Sequence, residues 1–273
     1  MGDQAEKAAR FLELHRPGHP LLMPNAWDQG SARLLAYLGF QAVATTSSGF
    51  AATLGRLDGQ VTRDEALAHA ADVVRGAGDV PVSADLENCF ADEPAGVAAT
   101  IEAAIAAGLA GGSVEDFTGA SDDPIYDIGL ATERVAAAAT AAHAGPVRFV
   151  LTARAENHLH GRDDLADTIA RLQAYQEAGA DVLFAPGIRN LDDIGRIVGS
   201  VDRPVSVLVR PAGLTVAELA GIGVARISVG GSLAFAGLGT VVEAARELLD
   251  HGTFGVADQV QLGRTSAQAA FKG

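Results

Sequence analysis

Asp85 and Glu87 stand two residues apart at the end of the apolar run PVSADLE (81–87), and Glu115 ends a second run, GGSVE (111–115). Three carboxylates delivered to one place repel one another unless protons or a cation lie between them. Oxygen donors without histidine or cysteine in ligand spacing suit Mg²⁺ or Mn²⁺ better than zinc. The set therefore predicts a divalent-metal centre on Asp85, Glu87 and Glu115; the competing reading is that these acids cap helices or pair with Arg154. Arg154 closes the run RFVLTAR (148–154). Its guanidinium fork matches a substrate carboxylate, with an internal ion pair to Glu156 or Glu115 as the alternative. Thr46, Ser47, Ser48 and Gly49 can offer N–H groups and hydroxyls to a carboxylate or oxo group, or form a plain turn.

Other residues weigh less. Cys89 follows the acid pair, but a lone cysteine at a strand end is ordinarily a small packing residue. His158-Leu159-His160 has no third ligand nearby and reads as a loop face, and Trp27 and Phe50 read as core. Only Lys7 and Lys272 exist, so no lysine can project from a central strand to form a Schiff base.

Something must bring these residues together. Eight strand-like runs recur, at 21–25, 42–46, 81–86, 111–115, 148–154, 181–185, 204–209 and 226–230. Helical patterns follow each, at 28–38, 62–76, 94–107, 130–143, 163–178, 191–199, 215–221 and 233–250. Thr62 before RDEAL, Thr215 before VAEL, and Gly108 and Gly179 after helical patterns supply start and stop signals. The runs are apolar throughout, as buried parallel strands are. Eight such β–α units close most simply into a (β/α)8 TIM-type barrel, with a doubly wound open sheet as the alternative. The expected organisation is one domain, a barrel over 1–252 with a short N-terminal helix, and a tail over 253–273 that packs on a neighbouring subunit or frays. In such a barrel, chemistry gathers where the strands end. Five of the eight runs send hydroxyl or charged groups there. Gly230-Gly231-Ser232, with Arg210 before it, fits the anion cradle that follows the last strands of many barrels. The Gly, Ser, Asp and Thr-rich stretches 47–61 and 116–129 are expected to be loops covering that rim.

Composition narrows the function classes. With 48% hydrophobic and 20% charged residues, the 273-residue chain can bury a full core. A formal charge of −14 disfavours nucleic acid and anionic membrane surfaces as partners. One cysteine fits a reducing compartment, and no apolar run suggests a membrane span or signal peptide, so a cytoplasmic protein is expected.

Six segments, taken in order, resemble the isocitrate lyase/phosphoenolpyruvate mutase superfamily: PNAWDQGSARLLAYLGF (24–40), GRLDGQVTRDE (55–65), VPVSADLE (80–87), AGGSVED (110–116), LTARAE (151–156) and AYQEAGADVLF (174–184). The resemblance implies a Mg²⁺ enzyme that forms or breaks a C–C or P–C bond beside a small 2-oxo or 2-hydroxy carboxylate, through an enolate-like intermediate. It implies that Asp85 is the direct metal ligand and that Glu87 and Glu115 hold the metal's waters. Asp58 corresponds to the acid of the loop at 47–61. Thr46, Ser47 and Ser48 correspond to the substrate grip and Arg154 to its arginine partner. Arg210 is a further candidate for the substrate. The resemblance also implies a homodimer or homotetramer whose C-terminal helical region exchanges between subunits.

Several positions depart from the family pattern. The stretch after Glu115 reads FTGASDDPIYD, without the Lys-Cys-Gly-His run of the lyases or the lysine and asparagine of the phosphonate mutases. Glu87 stands for the commoner aspartate, Cys89-Phe90-Ala91 for Gly-Tyr-Gly, and Pro186-Gly187 for a Glu or His. The leading expectation is a Mg²⁺-dependent C–C lyase or decarboxylase. The alternatives are phosphonate or carboxyphosphonate P–C chemistry and a non-catalytic protein that binds a 2-oxo acid such as 2-oxoglutarate.

Overall fold

The protein is described by a computed structural model covering residues 3–210 and 213–272. Among the described residues, nine strand segments form one all-parallel sheet: β1 (Leu21–Met23), β2 (Asn25–Ala26), β3 (Val43–Thr45), β4 (Val82–Ala84), β5 (Gly111–Glu115), β6 (Val150–Arg154), β7 (Val182–Phe184), β8 (Val205–Leu208) and β9 (Arg226–Ser228). The first expected strand is broken at Pro24, which has no N–H to donate to a ladder. Its first half pairs with β9 and its second with β3. Because β1 and β2 are consecutive, these pairings close the sheet into a ring. The architecture is thus a (β/α)8-type barrel, with the first strand in two pieces.

The helices are α1 (Gln4–Glu13), α2 (Gln29–Tyr37), α3 (Ser47–Thr53), α4 (Arg63–Ala77), α5 (Pro94–Ala106), α6 (Ile128–His143), α7 (Leu165–Glu177), α8 (Leu191–Val198), α9 (Val216–Gly221), α10 (Ser232–His251) and α11 (Ala257–Ala270). Thr62 with Glu65 and Thr215 with Glu218 form reciprocal capping boxes that start α4 and α9. The helices pack on the sheet's outer face. Leu35, Val73, Ile101, Val135 and Leu172 are buried there. On the inside, Ala8 and Phe11 of α1 pack with Leu21, Met23, Val150 and Val182. A Cβ on Gly111 would come within 2.7 Å of the Phe11 ring, so glycine lets α1 close the N-terminal mouth of the barrel. Full burial of the Phe11 side chain contributes roughly 1.5–3 kcal/mol.

Three local expectations change. The stretch 47–61 is not all loop, because Thr46 accepts from the Gly49 N–H and starts α3. His158-Leu159-His160 forms a 3₁₀ turn with Asn157 instead of an open loop face, and the His160 ring stacks on Phe117 with centroids 3.9 Å apart. The tail is helical: α11 returns to α2, where the Arg33 Nε donates to the Ala270 carbonyl.

Candidate active site

At the C-terminal rim the strands open onto a cavity of about 290 Å³ lined by Thr46, Ser47, Ser48, Asp58, Asp85, Arg154 and Arg210, with Gly230 and Gly231 opposite. Seven of the nine residues expected in the site therefore share one cavity. The other two, Glu87 and Glu115, flank Asp85. Glu115 lies buried beneath Arg154, and Glu87 faces a small crevice beside Asp85 that Phe50 and His69 also line.

The backbone around the acids is shaped to point them. Glu87, Cys89 and Phe90 have φ of 51°, 59° and 56°. That is the left-handed region, unusual outside glycine and concentrated at functional sites. The Thr45 hydroxyl accepts from the Asp85 N–H at 2.9 Å, and the Asp85 carboxylate accepts from the Ser47 N–H at 3.3 Å.

Arg154 is held from three sides. Its Nη1 lies 3.1 Å from Asp85 and 2.5 Å from Glu115, and its Nε donates to Glu156 at 2.7 Å. The internal ion pairs expected as the alternative exist, and the residue also lines the cavity. Nη2 has no partner among the described residues and remains available to a ligand. Glu156 is held in turn by Asp116, which accepts from the Glu156 N–H at 2.8 Å and from the Tyr175 hydroxyl at 2.6 Å. Glu156 is the ion-pair partner that the sequence offered for Arg154, whereas nothing in the linear sequence separates Asp116 from an ordinary surface acid.

Electrostatics shows how much negative charge is crowded here. Burial, then the charges of Asp85 and Asp58, push Glu87 up to about 7. Burial also holds Glu115 well above the usual carboxylate range; Arg154 opposes the shift, while Glu156 and Asp85 add to it. Asp58 is exposed as a residue, but its carboxylate leans over the cavity. Partial burial and then Asp85 raise it, against a hydrogen bond from the Ser47 hydroxyl. Arg154, the guanidinium in contact with Asp85, Glu115 and Glu156, does not by itself balance those acids together with Asp58 and Glu87.

This donor set fits a hard divalent cation that keeps most of its waters. Among the described residues no three His, Cys, Asp or Glu side chains converge into a closed cage. Mg²⁺ does not need one, since it is commonly held by one or two carboxylates and water. Asp85 is the one acid of the three at the cavity wall, so it would touch the ion, with Glu87 and Glu115 behind it.

The model of the family described as phosphoenolpyruvate phosphomutase matches residues 11–249. The chain belongs to that family. It thereby joins the isocitrate lyase/phosphoenolpyruvate mutase superfamily, as the six matching segments imply. A solved structure described as a putative lyase/mutase from Burkholderia cenocepacia J2315 is 51% identical, with a TM-score of 0.94, covering 99% of this chain and 97% of that one. An uncharacterized protein of Mycobacterium tuberculosis H37Rv is 36% identical over 88% of this chain and 89% of its own length. The 2-methylisocitrate lyase of Escherichia coli K12 is 30% identical, over 75% and 73% respectively.

Within this family frame, Cys89 is not placed to be the missing proton donor. It is fully buried, its thiol faces the Ser113 carbonyl, and burial pushes it up to about 12. Cys89→Ser is expected to keep activity within a fewfold. A thousandfold loss, worth roughly 4 kcal/mol of barrier, would mean that this thiol does the chemistry.

Proposed function

We propose that the chain is a Mg²⁺- or Mn²⁺-dependent lyase or decarboxylase of a small 2-oxo or 2-hydroxy mono- or dicarboxylate, working through an enolate-like intermediate. The observation that carries this reading is the single cavity that Asp58, Asp85, Arg154 and the Thr46–Ser48 turn share in a chain of this family. Asp85 would hold the metal, with Glu87 and Glu115 orienting its waters. When bound, the ion supplies Lewis-acid stabilisation of negative charge on substrate oxygens. The amide and hydroxyl of Ser48 and the free Nη2 of Arg154 hold the substrate carboxylate, while Ser47 orients Asp85 and Asp58 beside it. Asp58, whose carboxyl lines the cavity and is raised by partial burial and by Asp85, is placed to exchange a proton at the bond that breaks. Arg210, exposed on the opposite wall, meets the substrate's outer end.

The family model's own description favours a second reading, P–C bond chemistry. Against it stands the stretch 116–129, which has no lysine or arginine to offset phosphoryl charge. A protein that merely binds a 2-oxo acid is a third reading, and a carboxyl poised like that of Asp58 is more than binding requires. The test is product analysis by NMR after incubation with Mg²⁺ and a panel of 2-hydroxy and 2-oxo acids, with phosphonopyruvate included. New 2-oxo acid or CO₂ from a phosphorus-free substrate supports the lyase reading. Turnover of phosphonopyruvate alone, to pyruvate and phosphate or to a rearranged phosphoryl ester, contradicts it.

We further propose a homodimer or homotetramer. Phe235, Val241, Leu249 and Phe254 around α10 and Leu262 on α11 leave apolar side chains uncovered, with Leu249 84% and Leu262 69% exposed. A surface of that kind is usually covered by another chain. Light scattering at micromolar concentration is expected to give a multiple of 27.8 kDa; the monomer mass would contradict the assembly.

A further inference from the structure

The floor of the cavity carries a charge that the proposed chemistry does not use. Arg226, the first residue of β9, is 3% exposed and lines the cavity from below. Its Nε donates to the Ser206 hydroxyl at 2.9 Å, and its Nη1 to the Thr152 hydroxyl at 3.0 Å and to the His15 Nε2 at 3.3 Å. Every one of these acceptors is neutral. The His15 Nδ1 lies 2.8 Å from the Phe11 carbonyl and therefore carries the proton, and burial holds this imidazole down at about 3, so it is uncharged. No carboxylate pairs with Arg226 among the described residues.

A buried, unpaired guanidinium is costly, and proteins normally neutralise one. Here burial, with Arg154 one layer above, pulls Arg226 down to about 9, yet it remains a cation at neutral pH. Thr152 and Arg154 alternate on β6, so they face the same interior side, one above the other. Nη2 of Arg226 has no partner among the described residues. The Ser113 hydroxyl, in the same lining and on a residue 7% exposed, is buried with no hydrogen-bond partner. Ser83 and Ser228 add two further hydroxyls to the lining. A positive charge, an idle buried donor and a ring of hydroxyls around accessible space are what a small anion needs.

We propose that Arg226, with the hydroxyls of Ser113 and Thr152, forms an anion subsite in the barrel interior that takes a carboxylate. The subsite lies in the cavity that the Thr46–Ser48 turn opens onto, so a dicarboxylate can place one carboxylate at the rim and the other on the floor. That assignment rests on the reading of this cavity as the substrate site. The subsite itself does not, because a free carboxylate could occupy it.

Arg226→Met removes the charge at similar volume, and such replacements of buried charges commonly fold well. Formate is the first probe, added at constant ionic strength against matched sodium perchlorate. It is expected to raise the melting temperature of the wild type and to leave that of Arg226→Met unchanged, with Arg226→Lys in between. Equal protection of both proteins, or protection of neither, overturns the subsite. The second probe is a pair, 2-oxoglutarate against pyruvate, titrated calorimetrically with Mg²⁺. At least tenfold tighter binding of the dicarboxylate that vanishes in Arg226→Met assigns the subsite to the substrate's far carboxylate. Equal binding of the pair, with formate still protecting only the wild type, assigns it to a free anion. If neither 2-oxo acid binds the wild type while formate still protects it, the substrate reading fails and the subsite stands.

Discussion

Asp85→Ala is expected to abolish Mg²⁺ binding and to lower turnover about a thousandfold or more, a barrier increase of roughly 4 kcal/mol. Of Asp85, Glu87 and Glu115, Asp85 is the one at the cavity wall, and its second oxygen is already oriented by the Ser47 amide. Glu87 and Glu115 cannot replace it, because they stand behind it. Folding should survive. Arg154 keeps Glu115 and Glu156 as partners, and removing one acid from a crowded group relieves repulsion. A variant that melts with the wild type but no longer shows a Mg²⁺ isotherm is the expected outcome. Unchanged metal affinity would mean that the acids serve only to hold Arg154.

Arg154→Lys is expected to weaken substrate binding by ten- to a hundredfold while the barrel stays folded. The planar fork reaches Glu156 through Nε, and Asp85 and Glu115 through Nη1, and still leaves Nη2 for the ligand. A lysine ammonium is a point charge with three donors on a flexible stem, and it cannot hold those carboxylates and a substrate in one plane. Paired titrations with a 2-oxo acid, with thermal melts as the folding control, read the effect. Equal affinity in a folded variant would make Arg154 purely an ion-pair partner. The substrate carboxylate would then belong to Arg210 or the Thr46–Ser48 amides.

Much of the fold was legible because buried parallel strands are apolar and their helices begin at residues such as Thr62 and Thr215, which cap through their own side chains. The break at Pro24 was visible as a residue but not as a consequence, since only pairing with both β9 and β3 shows that one strand joins two ladders. Helix α3 was hidden in a Gly- and Ser-rich stretch that reads as loop; the Thr46 cap starts it, and a Cβ on Gly49 would come within 2.5 Å of Thr46. Rim residues could be collected from the sequence because strand ends are marked. Interior ones could not. Thr152 and Arg226 are polar residues in apolar runs, and only the closed barrel shows that they touch. The pair of Arg154 and Glu156 was legible as an alternative, but the support of Glu156 by Asp116 was not, since that contact depends on the register that aligns β5 with β6.

The most direct test of a metal-dependent 2-oxo acid site is a calorimetric titration of the wild-type protein with a 2-oxo acid in the presence of Mg²⁺ and again after chelation with EDTA. Ion and arginine are assigned opposite ends of the same carboxylate, and the uncompensated acids around Asp85 repel an anion when the ion is gone. Binding is therefore expected with Mg²⁺ and at least a hundredfold weaker without it. Equal affinity in the two titrations would contradict the metal centre and leave the acidic cluster as scaffolding around Arg154.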